Sequence, residues 1–462
     1  MSVAHLLDIG RSALTAANLG LEVTGNNIAN VNSPSYSRQR VQLSSAVVVN
    51  LGGIPYGTGV EIQSVQRIHD AFLGFQLYAA TAGVSDYQLR EQTYLRVQSI
   101  LYPSDENNLG QVLDEFFNAW QDLAGNPSGP AERQIVLSRG EHLVSSFHMV
   151  ARSLQDEMRY ANSLLEGYRT EINNLTSQIA EINRKLSRTA GPGSPPNDLL
   201  DERDALLKEL SGYLDITVIE QDGLTVNVLA SGSQPLVEGT RARTLELEAD
   251  PQDNGYYRLV VQGRDITDRV GSGKIKAVLE TRSRVAAYSG DLDLLAATLA
   301  EAVNQAHGSG YGLDGSTGTP FFSFDSAHPA LTLQVAVTDL NRIAAARELD
   351  PDTLLPAPGD NRNALALASL RDTGLLEGGA TTLSGYYQSL LQKAGSKAQE
   401  AARMADAKEA LAASLQNYRD QISGVSLEEE EISLMKFQHA YQAAASYLTV
   451  VNDVMAELFN LL

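Results

Sequence analysis

Apolar residues recur at alternating spacings of four and three from the start of the chain: Val3, Leu7, Gly10, Leu14, Ala17, Leu21, Thr24, Ile28 and Val31. That alternation marks a helix with one apolar seam, here with small residues at several positions. The far end repeats it with Leu427, Leu434, Phe437, Tyr441, Ala444, Leu448, Val451, Met455, Leu458 and Leu462, and Glu430 fills the one slot without an apolar side chain. The spacing predicts an amphipathic helix at each end. Between them, Val65, Ile68, Phe72, Phe75 and Ala79 begin a helix that runs toward Ile100, before Pro103. A longer seam extends from Leu137 through Phe147, Leu154, Leu165 and Ile172 to Leu186. At 1.5 Å per residue it predicts a rod of about 75 Å. The stretch 191–196, GPGSPP, breaks the rod, and Asn197 or Asp198 is placed to cap a further amphipathic helix, DLLDERDALLKELSGYL.

The period changes near Asp215. DITVIEQDGLTVNVLASGSQPLV alternates β-branched residues around Asp222-Gly223, a hairpin signal, and TLELEAD and YYRLVVQG extend the β content. Helix resumes over Leu292 to His307, a glycine-rich loop follows at 308–319, and FFSF and LTLQVAV read as strand. Beyond Pro358 the pattern is helical again, from Asn363 to Leu370 and over 381–421. Helices, a β-rich insert and helices again allow the two helical parts to form one body from which the insert emerges.

One stretch fits none of this simply. LEVTGNNIANVNSPSYSRQRVQL, residues 21–43, runs an apolar repeat into four asparagines, then Pro34, Tyr36 and Arg38-Gln39-Arg40. Asparagine inside a helix costs roughly 0.6 kcal/mol against alanine. It is common at helix ends, where its amide bonds the local backbone. A helix that stops near Asn30 and a following loop account for the pattern; contacts made by the amides are the other reading.

Bulk composition narrows the function. The chain has 462 residues, with 35 basic against 56 acidic side chains and a net charge of -21. A binder of nucleic acid or of an anionic membrane needs a basic face, so neither is expected as a partner. Without cysteine, disulfides, zinc–thiolate sites, iron–sulfur clusters and cysteine nucleophiles are excluded. Asp8, Arg11 and Asn18 interrupt the first apolar residues, which do not read as a Sec-type signal peptide, and no run of about 18 apolar residues is present to span a membrane. The seven histidines are scattered, and His142 and His148 sit six apart on one helix, off a common face. Gly271-Ser-Gly-Lys274 lacks the leading glycine and the trailing Ser or Thr of a phosphate loop. Asp314-Gly-Ser-Thr-Gly318 lacks the closing glutamate of a calcium loop, and Glu428–Glu431 is explained by a helix start. No catalytic residue, metal ligand or cofactor site is expected.

The stretch ALTAANLGLEVTGNNIANVNSPSYSRQRVQL resembles the N-terminal signature of flagellar rod, hook and hook-associated proteins, carried by Asn26, Asn27, Ile28, Ala29, Asn30, Asn32, Tyr36 and Arg38. Ser33-Pro34-Ser35 departs from the Thr-Pro or Thr-x-Gly usual before that tyrosine. SGVSLEEEEISLMKFQHAYQAAASYLTVVNDVMAELFNLL resembles the matching C-terminal signature through Val425, Leu427, Glu429, Leu434, Phe437, Gln438, Ala440 and Tyr441. Within that group, PNDLLDERDALLKEL, GDNRNALAL and the long helical region are similar to the hook-associated protein 1 family of hook–filament junction proteins.

The resemblance implies a mainly α chain with a β-rich insert, a discontinuous multi-domain axial protein. Residues 1–45 with 425–462 would form a coiled-coil inner-tube domain, 46–214 with 346–424 a long-helix bundle, and 215–345 a β-rich outer domain. It implies a structural adapter joining hook to filament, secreted through the flagellar type III apparatus, required for filament assembly and acting by contact without catalysis. The implied partners are further copies of the chain in a ring or helical layer, the hook protein, a second junction protein, and an export chaperone on the C-terminal helix. The residues expected to carry these contacts are Leu7, Leu14, Leu21, Asn26, Asn27, Ile28, Asn30 and Tyr36, and Leu434, Phe437, Tyr441, Leu448, Val451, Met455 and Leu458. The alternatives are another axial component of hook or filament, or a secreted protein whose insert binds or hydrolyses glycans.

Overall fold

The computed structural model describes residues 3–51, 54–103, 108–189, 195–250, 256–350, 353 and 355–460. Of the chain, 66% is helical, which makes it mainly α with a β-rich insert, as the periodicity predicted. It divides into two compact units, one of Met1–Asp86, Gly167–Ile275 and Ala407–Leu462, the other of Tyr87–Glu166 and Lys276–Asp406.

The first unit opens with α1 (Val3–Ala29), which ends at the asparagines. Strands β1 (Gln39–Ser45) and β4 (Val60–Arg67) then pair antiparallel, with a register shift between Gln42 and Leu43. Between them β2 (Val49–Leu51) and β3 (Ile54–Tyr56) form a short hairpin. This ribbon corrects the expectation of a helix from Val65. That residue lies in β4, and α2 (Ala71–Leu101) begins after Asp70, whose carboxylate accepts the Leu73 amide at 3.1 Å as an N-cap. The second unit takes up the chain within α2, at Tyr87, and adds α3 (Leu109–Gly125). The long seam is one helix, α4 (Pro130–Thr189), and α5 (Asn197–Tyr213) follows the proline-rich break. Neither Asn197 nor Asp198 caps α5: the cap position is Pro196, and the Asn197 amide donates instead to the Val65 carbonyl at 3.1 Å.

The expected hairpin is present. β5 (Ile216–Glu220), β6 (Val226–Ala230), β7 (Gln234–Glu238) and β8 (Arg241–Ala242) form an antiparallel sheet in chain order, with a turn of 3-10 helix at Asp222–Leu224. β9 (Leu245–Asp250), β10 (Tyr256–Val261) and β11 (Arg264–Asp265) form a second sheet with β10 central. Two asparagines of α4 tie the helix to these strands. Asn173 donates to the Leu245 carbonyl at 3.0 Å and accepts its amide at 2.8 Å. Asn183 does the same with Val226, at 2.8 and 3.3 Å. The β content ends earlier than predicted, because α6 (Gly273–Gly308) starts well before Leu292.

In the second unit, Phe116, Trp120, Phe321 and Phe322 are fully buried and meet edge-on or tilted, with Phe321 and Phe322 ring centroids 4.8 Å apart. His307 joins this cluster, its ring 6.1 Å from that of Trp120. LTLQVAV is mostly not strand: α7 (Pro329–Thr332) precedes a two-residue pairing of β12 (Phe322–Ser323) with β13 (Gln334–Val335). The Asn304 side chain caps that pairing, donating to the Phe322 carbonyl and accepting the Phe321 and Phe322 amides, all at 2.8 Å. The buried Arg133 guanidinium donates to the carbonyls of Pro127, Leu340 and Ile343, and burial pulls it down to about 10. Helices α8 (Arg362–Ser369), α9 (Leu383–Ser423) and α10 (Leu427–Asn460) complete the chain, the last lying in the first unit.

Candidate assembly interface

The two terminal helices pack against each other, and the fit depends on size. A Cβ on Gly20 would lie 2.4 Å from Cδ1 of Phe437, and one on Gly10 would lie 2.5 Å from Cδ2 of Leu448. The absence of both Cβ atoms makes two sockets for α10 side chains. Gly10, Ala16, Ala17, Gly20 and Thr24 are buried. The contact line of α1 therefore follows its small residues. Leu7, Leu14, Leu21 and Ile28, expected to face the partner, are half-buried on the flank of that line. Bulk comes from α10, whose Val451 is buried and whose Leu434, Phe437, Leu448 and Met455 are half-buried, while Tyr441 is exposed at the edge. Leu458 lies within α10 with its side chain outside the described residues, as is Leu462 entirely.

Gly20→Leu is expected to force Phe437 out of its socket. Overpacking of this kind costs roughly 1–3 kcal/mol. Hydrogen exchange over α1 should report the loss, and adding Phe437→Ala should restore most of it. Equal protection in wild type and Gly20→Leu would show that the socket is not closed in solution.

The asparagine stretch divides into two kinds of side chain. Asn26 and Asn30 close the helix end: the Asn30 amide donates to the Asn26 carbonyl at 3.0 Å and to its side-chain oxygen at 2.9 Å. Asn27 is different. It is 1% exposed and uses its full hydrogen-bonding capacity inside the chain. Its Nδ2 donates to the Gln39 carbonyl at 2.9 Å and to Glu430 Oε2 at 3.0 Å. Its Oδ1 accepts the Gln39 amide at 2.9 Å and the Tyr36 hydroxyl at 2.8 Å. Of the side chains expected to reach between subunits, Asn27 and Tyr36 are thus engaged within one chain, whereas Asn26 faces solvent.

Glu430, the exception in the apolar seam, is the centre of this network. It is 2% exposed, and besides Asn27 it accepts Arg38 Nε at 2.6 Å; Arg38 also pairs with Glu429. Burial works against the Arg38 charge, and the two carboxylates more than offset it. The Tyr36 phenol is pushed well above its usual range, first by burial and then by Asp198, Asp201 and Glu430, so it remains a donor. The loop leading to β1 is strapped down as well. Arg419 donates to the carbonyls of Pro34, Ser35 and Tyr36 at 3.0, 3.4 and 3.4 Å, and the Ser37 amide donates to Asp201 at 2.9 Å. Residues from α1, β1, α5, α9 and α10 therefore converge on one polar junction. Sequence reading named Asn27, Tyr36 and Arg38 but missed Glu430, Asp201 and Arg419. The one available signal was an acid in an apolar slot.

The other candidate motifs are structural. Gly273 opens α6 at φ +90, where a Cβ would lie 2.7 Å from the Tyr213 carbonyl oxygen, and Lys274 sits 4.5 Å above the Tyr213 ring. Asp314 accepts the Ser316 amide at 3.0 Å in a turn.

Comparison with known proteins adds to this geometry. The family described as "Flagellar hook-associated protein FlgK helical domain" matches residues 94–322, and the "Flagella basal body rod protein" family matches residues 7–36. Flagellar hook-associated protein 1 of Bacillus subtilis is 28% identical, with 98% of this chain and 97% of that protein covered. Its counterpart in Escherichia coli is 27% identical over 99% of this chain and 100% of that protein. The solved flagellar hook junction protein from Burkholderia pseudomallei shares the fold, with a TM-score of 0.68, 18% identity, and coverage of 76% of this chain and all of that one. With the rod-protein signature on α1, the helical-domain match through the middle and relatives aligned nearly end to end, the chain belongs to the flagellar hook-associated protein 1 family.

Proposed function

We propose that this chain is the structural adapter that joins hook to filament in the bacterial flagellum, and that the filament is not built without it. The near end-to-end match to hook-associated protein 1 sequences carries this reading. A strain lacking the gene should make hooks, secrete flagellin and form no filaments by electron microscopy. Normal filaments on that strain would overturn the reading.

In this reading the chain works by contact and without catalysis. Its partners are further copies of itself, the hook protein and a second junction protein, met after export through the flagellar type III apparatus. Residues 1–45 with 425–462 act as the inner-tube domain, 46–214 with 346–424 as the bundle and 215–345 as the outer domain. Assembly contacts fall on the exposed parts of the terminal helices, including Asn26 and Tyr441. Before assembly, α10 is the segment a chaperone would hold, since its apolar seam suits a helix-in-groove partner. Phe437 and Leu448, which α1 seats in its glycine sockets, are then the side chains in competition. Phe437→Asp and Leu448→Asp should each abolish capture of the export chaperone in a pull-down. Unchanged capture by both variants would remove the chaperone from this seam.

A further inference from the structure

Within the first unit, α2, α5, the end of α9 and the loop at Pro34 enclose a cavity of about 480 Å³. That volume suits one or two large side chains or a small ligand. Leu73, Leu77, Ala205 and Gly212 line it, together with Lys208 and Lys274. Of the acids around it, Glu209 has no ion-pair partner among the described residues and Asp70 caps α2, while most of the other charges are already matched. Asp201 and Asp204 accept Arg67 at 2.8 and 2.6 Å, and Arg419 is engaged with backbone carbonyls. The lysines are not. Lys208 donates to the neutral Gln416 side chain at 2.9 Å, and Lys274 lies over the Tyr213 ring. Neither has a carboxylate partner among the described residues. Partial burial and the nearby Arg419 charge lower the Lys208 ammonium, so an arriving carboxylate would relieve it.

The same chain carries a surface of complementary chemistry. Glu428, Glu431, Ile432 and Met435 fall on the side of α10 away from its seam, by the 100° step of a helix. Ile432 is 62% and Met435 53% exposed, and neither Glu428 nor Glu431 has an ion-pair partner among the described residues. Two bare apolar side chains therefore share that side with two unmatched carboxylates, opposite in sign to the two lysines of the cavity.

We propose that the cavity receives the start of α10 from a second copy of the chain, with Ile432 and Met435 entering between α2 and α5 and Glu428 and Glu431 meeting Lys208 and Lys274. The inference rests on the self-association put forward above and names the surfaces that carry it. Desolvated ion pairs fix register and partner choice more than they add affinity, so charge reversal is a sensitive probe.

The chain has no native cysteine, so introduced thiols are the only ones present. Full-length Thr81→Cys, placed in the cavity wall, and full-length Ile432→Cys are purified separately, mixed under assembly conditions and oxidised. A disulfide-linked dimer that forms only in the mixture is the expected result. In parallel, Lys208→Glu and Glu431→Lys should each slow assembly at least fivefold by light scattering, and the double variant should recover most of the rate. Assemblies that form without the mixed disulfide, or at an unchanged rate in both single variants, overturn the proposal while leaving self-association intact. A chain that never assembles removes self-association, and this contact with it. Assemblies without the disulfide, combined with lost motility in Lys208→Glu cells, would give the cavity to a different protein and overturn the proposal too.

Discussion

Glu430→Ala is expected to destabilise the pairing of α1 with α10 by about 3 kcal/mol. Breaking a buried charge pair by removing one partner costs about 3–5 kcal/mol, because the other charge is left desolvated. The lower end applies here, since Arg38 keeps Glu429 and its side chain is 20% exposed. Asn27 loses one of its four hydrogen bonds in the same step. Glu430→Gln retains the shape and one acceptor, and should cost about half as much. Urea titration followed by hydrogen exchange at 10–27 and 437–451 measures the effect. A double-mutant cycle with Arg38→Ala isolates the pair itself. A loss under about 1 kcal/mol for Glu430→Ala would mean that water already reaches the carboxylate and that the network does not hold the helices.

Acid should weaken the second unit through His307. This histidine is 1% exposed, and both ring nitrogens are occupied: Nδ1–H donates to the Thr319 carbonyl at 2.7 Å, and Nε2 accepts the Ala344 amide at 3.0 Å. Only the neutral ring can do both. Burial, with help from the Arg133 charge, holds it at about 4 against an ordinary 6.5. The folded state thus binds this proton less well than the unfolded chain. The stabilisation is complete above pH 6.5 and is lost as pH falls toward about 4, below which no more is lost from this group. At 1.36 kcal/mol per unit, the loss reaches about 3.4 kcal/mol. The chain's single tryptophan, Trp120, sits 6.1 Å from the ring and reports on it by fluorescence. Carboxylates titrate over part of the same range, so the informative quantity is a difference. Wild type should lose about 3 kcal/mol more than His307→Gln between pH 7 and pH 4. Equal losses would show that His307 is solvated in solution.

Elements set by local periodicity were legible in the sequence. The terminal helices, the rod from Leu137 to Leu186 and the Asp222 hairpin all declare themselves within a few turns of chain. What escaped depends on partners far away in sequence. The β1–β4 ribbon alternates over a short span, and Val65 and Ile68 also fit the helical spacing of Phe72 and Phe75. Asn27 and Glu430 are 403 residues apart, so no window of sequence holds both. The asparagines were hardest to read. As helix-interior residues they look like mistakes or ends. Yet Asn27, Asn173, Asn183 and Asn304 each hold the backbone of an extended segment, through Gln39, Leu245, Val226 and Phe322. A short amide carries one donor end and one acceptor end, as a peptide unit does, so it can pair with a strand from the side of a helix. Propensity scales do not record that role.

The glycine sockets also decide which helix may choose which. Two α1 helices laid together would face small residue against small residue and bury little apolar surface between them. Two α10 helices would bring Phe437 and Leu448 against their own kind, with no hollow to enter. Only the unlike pair is filled without collision. In the assembly of many copies proposed above, that difference in girth would sort the helices, matching each first segment to a last one.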